Sequence, residues 1–289
     1  MSLEIGLQLF SVKDEISTDY FRTLEEISAI GYKNVELIAT NMKNLSRFSD
    51  TVSAKTLRNK LEELNMTAIG AHDGGGAPGT SLLDNDWDHI IKYNYEIGCQ
   101  WIAIPSAFML SREEALKTAE QLNHIGKQMN ENGIKLYLHN HHFEFRKINE
   151  QETLYDVLLE NTDPDHVFFE LDVLWAHRAG VDPIGLMERL GARCDVIHQK
   201  ELYPFVPEEG FEPPKFELPD IYKPYFLDSE SLPDIAPLDL DRLYQKVNEL
   251  GFVKYTIVEN EYAESNKIAS VAKDLEILKK KIILNTQSV

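Results

Sequence analysis

Cysteine, basic residues and long apolar runs are all scarce in this 289-residue sequence. The two cysteines, Cys99 and Cys194, lie far apart in or beside apolar segments, so we expect buried thiols rather than a disulfide. Unpaired thiols fit the reducing cytoplasm, which we expect to be the location of the protein. No apolar run approaches the roughly 20 residues of a transmembrane helix, and MSLEIGLQLFSV lacks the basic region and cleavage site of a signal peptide. We therefore expect no membrane partner.

Positive charge is in short supply relative to negative charge. The chain has 29 Lys and Arg against 48 Asp and Glu, which gives a formal net charge of −19 at pH 7. A surface this acidic repels phosphate backbones, so we expect no nucleic-acid partner. Hydrophobic residues make up 43% of the chain and charged residues 27%, an ordinary mix for a globular protein with a sizeable core.

Short apolar runs alternate with longer amphipathic segments along the chain. The amphipathic segments repeat apolar residues at i, i+3, i+4 and i+7, which is the pattern of a helix with one buried face. The short runs are apolar nearly throughout, as expected of parallel strands that are buried on both faces. We predict eight strands, at 4–10, 34–38, 67–72, 101–105, 135–140, 167–173, 195–200 and 255–260.

Eight strand-then-helix units in a chain of this length predict a (β/α)8 TIM barrel, an α/β fold whose usual size is about 250 residues. An open, doubly wound sheet is the alternative. The turn after the first strand, FSVKDEIS, lacks the glycine-rich phosphate-binding pattern of dinucleotide-binding sheets, which favours the barrel. We predict one barrel domain over residues 1–289.

One segment, 203–237, interrupts the alternation. It is rich in proline, acidic and aromatic residues and has neither a helical nor a strand period. A stretch of this length without secondary structure is usually functional or disordered, and its aromatic residues argue against simple disorder. Because the segment follows the seventh strand, we predict a lid over the carboxyl end of the barrel or a contact in a homo-oligomer.

Polar side chains collect at the carboxyl ends of the predicted strands, which is where TIM barrels hold their active sites. The fifth strand runs into HNHHFEF, with three histidines and a glutamate in seven residues. Side chains alternate between the two faces of a strand, so His139 and His141 share a face, as do His198 and Lys200. If these faces point inward, imidazoles and carboxylates meet at one mouth. The candidates are His72, His139, His141, Glu144, Glu170, Asp172, His198, Lys200 and Glu259.

Inward-facing charges at such a mouth must be paired or must coordinate a metal. Each residue alone has a plainer interpretation, since an acid at a strand end often caps a helix and a histidine-rich stretch can be a solvated loop. Polar residues at the ends of four successive strands favour the metal site. Carboxylate oxygen and imidazole nitrogen together suit Mn²⁺, Co²⁺, Zn²⁺ or Fe²⁺.

Four motifs, in the order HNHHFEF, FELDVLWAHRAGVDP, VIHQKE and IVENE, resemble those of the sugar phosphate isomerase/epimerase superfamily with the xylose-isomerase-like TIM barrel. The resemblance covers nearly the whole chain. It implies that Asp172, His198 and Glu259 bind a divalent metal. The first ligand is a Glu after the fifth strand in the epimerases. An ungapped match places His139 there, whereas Glu144 preserves a set of two Glu, one Asp and one His, and we prefer Glu144.

The resemblance also implies an activity, which is proton transfer next to a carbonyl of a sugar or polyol through an enediolate. A divalent ion (Mn, Co, Zn, Fe or Mg) would act as Lewis acid and template. The predicted catalytic groups are the carboxylates of Glu144 and Glu259, the imidazoles of His141 and His139, and the ammonium of Lys200.

Three further residues, His72, Trp175 and His177, are predicted to contact the substrate. The catalytic assignment of Lys200 and the substrate contact of Trp175 each have an alternative of similar weight, because Lys200 suits a lysine at the barrel rim with its head in solvent and Trp175 suits buried packing.

Other activities remain open on the same residues. A keto-sugar or keto-glycoside lyase, or an inosose-type dehydratase, would use the same metal site. A metal-dependent phosphodiesterase like endonuclease IV belongs to a different class, and the net charge of −19 disfavours it. A non-catalytic sugar-binding protein is disfavoured because Asp172, His198 and Glu259 are all present.

Overall fold

The computed structural model describes residues 3–200, 220–226, 237–261 and 266–286. Eight parallel strands pair in sequence order, and β8 pairs with β1 to close the sheet. The predicted (β/α)8 barrel is therefore confirmed. The strands are β1 (Glu4–Gln8), β2 (Asn34–Ile38), β3 (Thr67–His72), β4 (Trp101–Ile104), β5 (Lys135–His139), β6 (Val167–Asp172), β7 (Val196–Gln199) and β8 (Tyr255–Val258).

Helices follow the strands and cover the outside of the barrel. Within the described residues no helix is both long enough and apolar enough to cross a lipid bilayer. The helices are α1 (Lys13–Thr18), α2 (Tyr20–Ile30), α3 (Ala54–Glu63), α4 (Trp87–Ile97), α5 (Arg112–Glu131), α6 (Leu154–Asn161), α7 (Val173–Arg178), α8 (Pro183–Leu190), α9 (Lys223–Phe226), α10 (Leu240–Leu250) and α11 (Lys267–Thr286).

The strand bounds differ from the predicted bounds mainly at the carboxyl ends. Strands β2 and β3 match the prediction, whereas the other six are one or two residues shorter. After β1, the Gln8 side chain accepts a hydrogen bond from the backbone N–H of Phe10 and starts a 3-10 helix, Leu9–Val12. After β6, Asp172 caps α7. The polar side chains at the strand ends thus turn the backbone out of the sheet.

The predicted segment 203–237 falls mostly outside the described residues. Its described part is 220–226 and residue 237. The first of these includes α9, and the carbonyl of Pro224 accepts a hydrogen bond from Arg146 Nη2 at 2.7 Å. The Tyr225 ring packs edge-on against Phe108, with the ring centroids 5.1 Å apart. This part of the segment therefore lies against loops that follow β4 and β5. The lid and oligomer interpretations remain predictions.

Two apolar clusters hold the barrel together. The larger cluster lies between the sheet and the helices. The smaller cluster comprises Ile69, Trp101, Ala103, Tyr137, Val196 and Ile257. Tyr137, Val196 and Ile257 each lie two residues before a polar residue at the carboxyl end of a strand, and on the same face of that strand. The cluster therefore fills the barrel interior one layer below the mouth. Gly70 is needed for this packing, because a Cβ there would lie 2.1 Å from the indole Nε1 of Trp101.

A buried carboxylate closes the opposite, amino-terminal end of the barrel. Asp195 accepts hydrogen bonds from Tyr137 Oη, from Lys135 Nζ at 3.1 Å and from Lys254 Nζ at 2.9 Å. Burial acts to raise the pKa of Asp195, but the hydrogen bonds from Tyr137 and Lys254 outweigh burial and the pKa lies below its usual value. The ionised carboxylate therefore stabilises the fold.

We expect Asp195→Asn to lower the free energy of unfolding by about 1–3 kcal/mol at pH 7, because the amide cannot accept all three hydrogen bonds. A folded-state pKa below the unfolded one means that the stabilisation is present above about pH 4 and is lost as the pH falls through the folded-state pKa. Urea unfolding at pH 7 and below pH 4 measures this difference. The exposed Asp165→Asn is the control, with an expected change within about 0.5 kcal/mol. An equal deficit for Asp195→Asn at both pH values would contradict the prediction.

Candidate metal centre at the barrel mouth

Four neighbouring strands each deliver one ligand-type side chain to the barrel mouth. His139 ends β5, Asp172 ends β6, His198 lies in β7, and Glu259 directly follows β8. All four residues are buried. They face inward because the residues two positions before His139, His198 and Glu259 are Tyr137, Val196 and Ile257 of the interior apolar cluster.

These four residues form what we call the upper group. One nitrogen or oxygen from each of His139, Asp172, His198 and Glu259 can be chosen so that all four atoms lie within 4.8 Å of one another. His198 Nδ1 is 3.0 Å from Glu259 Oε2, and His139 Nε2 is 3.8 Å from Asp172 Oδ2. The upper group contains the three ligands that the sequence resemblance implied, Asp172, His198 and Glu259.

The two oxygens of Asp172 have different surroundings. Oδ1 accepts hydrogen bonds from the backbone N–H groups of Leu174 and Trp175, at 3.0 and 2.8 Å, at the start of α7. Oδ2 is buried and has no hydrogen bond among the described residues. Lys200 Nζ lies 3.4 Å and His139 Nε2 3.8 Å from this oxygen. A buried carboxylate oxygen without a hydrogen bond is costly unless positive charge lies near it. The upper group, with two carboxylates and two imidazoles, therefore fits a divalent metal ion.

A second set of contacts lies around the other ring nitrogens of the same two histidines. Glu170 Oε2 is 3.0 Å from His139 Nδ1, 3.2 Å from His198 Nε2 and 2.7 Å from His72 Nε2. Glu36 Oε2 is 2.8 Å from His198 Nε2. We call Glu36, His72 and Glu170 the lower group. His72, predicted as a substrate contact, thus bonds to a buried glutamate, and its ring stacks on that of His198.

Glu36 is a site residue that sequence reasoning did not single out. It lies in the middle of β2, in the segment NVELI, and is fully buried. Its Oε1 accepts from Trp101 Nε1 at 2.7 Å, and its Oε2 accepts from Gln8 Nε2 at 2.8 Å. The available signal was an acid within an otherwise apolar strand, which only a buried polar partner can explain.

Burial and charge set the protonation of the two shared histidines differently. Burial lowers the pKa of His139 to about 3, so its ring is neutral at neutral pH and keeps a lone pair. Burial also acts to lower the pKa of His198, but the charges of Glu170 and Glu36 outweigh it and raise that pKa well above the usual value. A metal ion at His198 must therefore displace a proton, as metal ligation generally does.

Lys200 is buried beside the upper group. Its Nζ is 3.2 Å from Glu259 Oε2, 3.4 Å from Asp172 Oδ2 and 2.5 Å from Glu261 Oε1. Burial acts to lower the pKa of Lys200, but the neighbouring carboxylates outweigh burial and raise it. The alternative of a rim lysine with its head in solvent is wrong, because the side chain is only 3% exposed.

Glu144, the preferred first ligand, belongs to neither group that could hold a metal. It lies in a 3-10 turn, Phe143–Phe145, and its Oε2 accepts the backbone N–H of His141 at 2.8 Å. Burial raises the pKa of Glu144 to about 8. Its Oε1 has no hydrogen bond among the described residues. The competing residue, His139, is the one brought to the upper group.

Aromatic rings line the side of the mouth near α7. The His141 ring stacks on Phe143, with the centroids 5.3 Å apart, and lies 5.7 Å from the Trp175 ring. Lys200 Nζ lies 5.5 Å from the Trp175 ring centroid. His141 Nδ1 and Trp175 Nε1 are buried atoms without a hydrogen bond in the described part of the chain. His177, on the last turn of α7, lies in neither metal-type group.

Comparisons with known proteins agree with this architecture. The model of the xylose isomerase-like TIM barrel family matches residues 24–281, so the chain belongs to that family. Comparison of the sequence with curated proteins gives no match. The predicted family resemblance is confirmed.

Similar solved structures share the fold at low sequence identity. A sugar phosphate isomerase/epimerase from Parabacteroides distasonis is 20% identical and has a TM-score of 0.71, covering 98% of this chain and 94% of that chain. An L-ribulose 3-epimerase is 12% identical and has a TM-score of 0.67, with 99% and 96% covered. An AP endonuclease of family 2 from Brucella melitensis is 13% identical and has a TM-score of 0.64, with 95% and 98% covered.

Metal binding distinguishes His139 from Glu144 as the first ligand. We expect His139→Ala to weaken the binding of Zn²⁺ by more than about 100-fold, because a direct ligand matters more than the roughly 10–100-fold typical of an outer-shell residue. We expect Glu144→Gln to leave the affinity unchanged, because its carboxyl bonds to the backbone of His141. Competition titration with a metal indicator, supported by metal analysis after dialysis, measures both. The reverse ranking would make Glu144 the ligand.

Proposed function

We propose that this protein is a divalent-metal-dependent enzyme that moves a proton next to a carbonyl of a sugar or polyol, as an isomerase or epimerase does. The observation that carries the proposal is the upper group, in which His139, Asp172, His198 and Glu259 converge at the mouth of a TIM barrel. The mouth is where enzymes of this fold bind their substrates.

The residues around the upper group support the roles that proton transfer needs. A bound divalent ion would supply Lewis acidity toward the substrate's hydroxyl and carbonyl oxygens. Lys200 holds a buried positive charge beside the same carboxylates, where it would stabilise negative charge on a substrate oxygen. His141 Nδ1 and Trp175 Nε1 would hydrogen-bond substrate hydroxyls. These groups would orient a polar substrate against the upper group.

Glu144 and Glu259 are the proposed proton-transfer carboxylates. A carboxyl with a pKa of about 8, as for Glu144, is within reach of neutral pH in both protonation states, which suits general acid–base catalysis. One carboxylate takes the carbon-bound proton, and the electron pair of that bond moves toward the carbonyl to give an enediolate. In an isomerase, a proton then returns to the former carbonyl carbon, and the hydroxyl proton of the first carbon moves to the former carbonyl oxygen. In an epimerase, a proton returns to the opposite face of the first carbon.

The sugar phosphate isomerase/epimerase and the L-ribulose 3-epimerase that share this fold support a carbohydrate substrate. The AP endonuclease with the same fold raises phosphodiester hydrolysis as another activity, but the net charge of −19 opposes binding to DNA. Cys99 and Cys194 are both free and buried, which supports the proposed cytoplasmic location.

Deuterium exchange tests the proposed chemistry whichever product the enzyme forms. The metal-loaded protein is incubated in D₂O with a panel of free ketoses, 3-keto-glycosides and inososes, and proton NMR follows the hydrogen next to the carbonyl. We expect metal-dependent loss of that signal for at least one compound. Formation of an isomer or epimer identifies the enzyme class, and loss of a substituent with formation of a double bond would assign the lyase or dehydratase instead. Absence of exchange across the panel would contradict the proposal.

Two variants separate proton transfer from metal binding in the same assay. We expect Glu144→Gln to slow the exchange by about 10²–10⁴-fold while the bound metal is retained, because a general acid–base catalyst contributes a factor of this size. Asp172→Ala should lose the exchange together with the metal. Full exchange by Glu144→Gln would remove Glu144 from the mechanism.

A further inference from the structure

Each histidine of the upper group presents its two ring nitrogens to different groups. His139 turns Nδ1 toward Glu170 Oε2, at 3.0 Å, and Nε2 toward Asp172 Oδ2, at 3.8 Å. His198 has the opposite arrangement. Its Nε2 faces Glu36 Oε2 at 2.8 Å, and its Nδ1 faces Glu259 Oε2 at 3.0 Å. The lower group therefore contacts the back of both rings.

A neutral imidazole has one N–H and one lone pair, on different nitrogens. A carboxylate can only accept, so it holds the N–H on the nitrogen that it faces. Glu170 thus favours the N–H of His139 on Nδ1, and Glu36 favours the N–H of His198 on Nε2. The lone pair of His139 then lies on Nε2, toward the upper group. His198 Nδ1 also faces a carboxylate, Glu259 at 3.0 Å, so its lone pair becomes free when a metal ion displaces the proton there, while Glu36 keeps the remaining N–H on Nε2.

We propose that Glu36 and Glu170 are positioning residues that fix the tautomer and the ring orientation of His198 and His139 for a metal ion in the upper group. This inference rests on the proposed metal site and assigns a role to a residue, Glu36, from the opposite side of the barrel. Carboxylates behind histidine ligands commonly act in this way in metalloproteins.

Glu36 is itself held rigidly enough for such a role. Trp101 Nε1 donates to its Oε1 at 2.7 Å, and Gln8 Nε2 donates to its Oε2 at 2.8 Å. The Gln8 amide is oriented in turn, because its Oε1 accepts the backbone N–H of Phe10 at 3.1 Å. Trp101 reaches Glu36 across the backbone of Gly70, where a Cβ would lie 2.1 Å from the indole nitrogen. The carboxylate therefore faces His198 in one orientation.

Two members of the lower group, His72 and Glu170, could instead form a second metal site together with His139 and His198, since these four residues also lie close enough to share an ion. Filling both groups at once would require both ring nitrogens of His139 and of His198 to be free of protons. A neutral imidazole has only one such nitrogen. The shared histidines therefore favour one metal ion, held above a hydrogen-bonded lower group.

The substitution Glu36→Gln tests the inference through its hydrogen-bond pattern. Both oxygens of Glu36 accept only, so an amide nitrogen at either position meets a donor. At the Oε1 position the amide nitrogen faces the Trp101 indole, which can only donate. At the Oε2 position it faces Gln8 and His198, and both can present an acceptor, Gln8 by turning its amide and His198 by moving its N–H to Nδ1. We expect the amide nitrogen to face His198, which then carries its N–H into the upper group and loses the lone pair that a metal needs.

The first measurement is Zn²⁺ affinity and stoichiometry by competition with a metal indicator. We expect one equivalent in the wild type, and binding that is about 10–100-fold weaker in Glu36→Gln and in Glu170→Gln. The control is Asp195→Asn, which makes the same carboxyl-to-amide change in a buried network at the other end of the barrel. It should lose stability and keep the affinity.

The second measurement needs no substitution. In the zinc-loaded wild type, nitrogen-15 NMR of the imidazoles should show the proton of His198 on Nε2 and that of His139 on Nδ1. The opposite tautomers would overturn the inference, even if the variants do not fold. Unchanged affinity in folded variants would also overturn it. Two equivalents in the wild type, falling to one in Glu170→Gln, would assign the lower group as a second metal site.

The proposed function and this inference fail in different ways. A wild type that binds no metal removes the metal site and the inference with it. A wild type that binds one metal ion, with variants of equal affinity, removes only the positioning role of Glu36 and Glu170.

Discussion

The burial of several carboxylates in one barrel mouth is the constraint on which the rest of the site depends. Glu36, Glu170 and Asp172 have no solvent exposure, and Glu259 has little. An ionised carboxylate in such surroundings is costly unless hydrogen bonds or positive charge compensate it. His72, His139, His198 and Lys200 each contact at least one of these carboxylates. Among the described residues, Glu170 Oε1 and Asp172 Oδ2 still have no hydrogen bond.

The closed barrel makes this concentration of charge possible. An apolar layer that contains Trp101, Tyr137 and Ile257 fills the interior directly below the polar strand ends and excludes water from that side. In a low-dielectric layer, hydrogen bonds between imidazole and carboxylate are stronger and more directional than in water. The glycine at position 70 allows the Trp101 indole to serve both layers, because it packs in the apolar cluster and donates to Glu36.

In the proposed metal-dependent proton transfer, the two groups of polar residues would have different roles. The upper group faces the mouth, where a substrate would arrive, and Lys200 and Trp175 border it. The lower group contacts the ring nitrogens of His139 and His198 that face away from the upper group, and its Glu36 also bonds Trp101 and Gln8. Rings that are fixed from behind cost less reorganisation when a ligand binds, which is the general advantage of a preorganised site. The long separation of β2 from β7 in sequence shows that this support is a property of the closed sheet.

Local patterns in the sequence determined the strand-and-helix alternation, the barrel and the inward face of Asp172, His198 and Glu259. These depend on side-chain periods of 2 and 3.6, which neighbouring residues reveal. These patterns could not show whether His139 or Glu144 reaches the upper group, because that depends on a 3-10 turn in which Glu144 bonds the backbone of His141. Glu36 was also beyond them. Its partner His198 is 162 residues away, and only closure of the barrel brings the two side chains together.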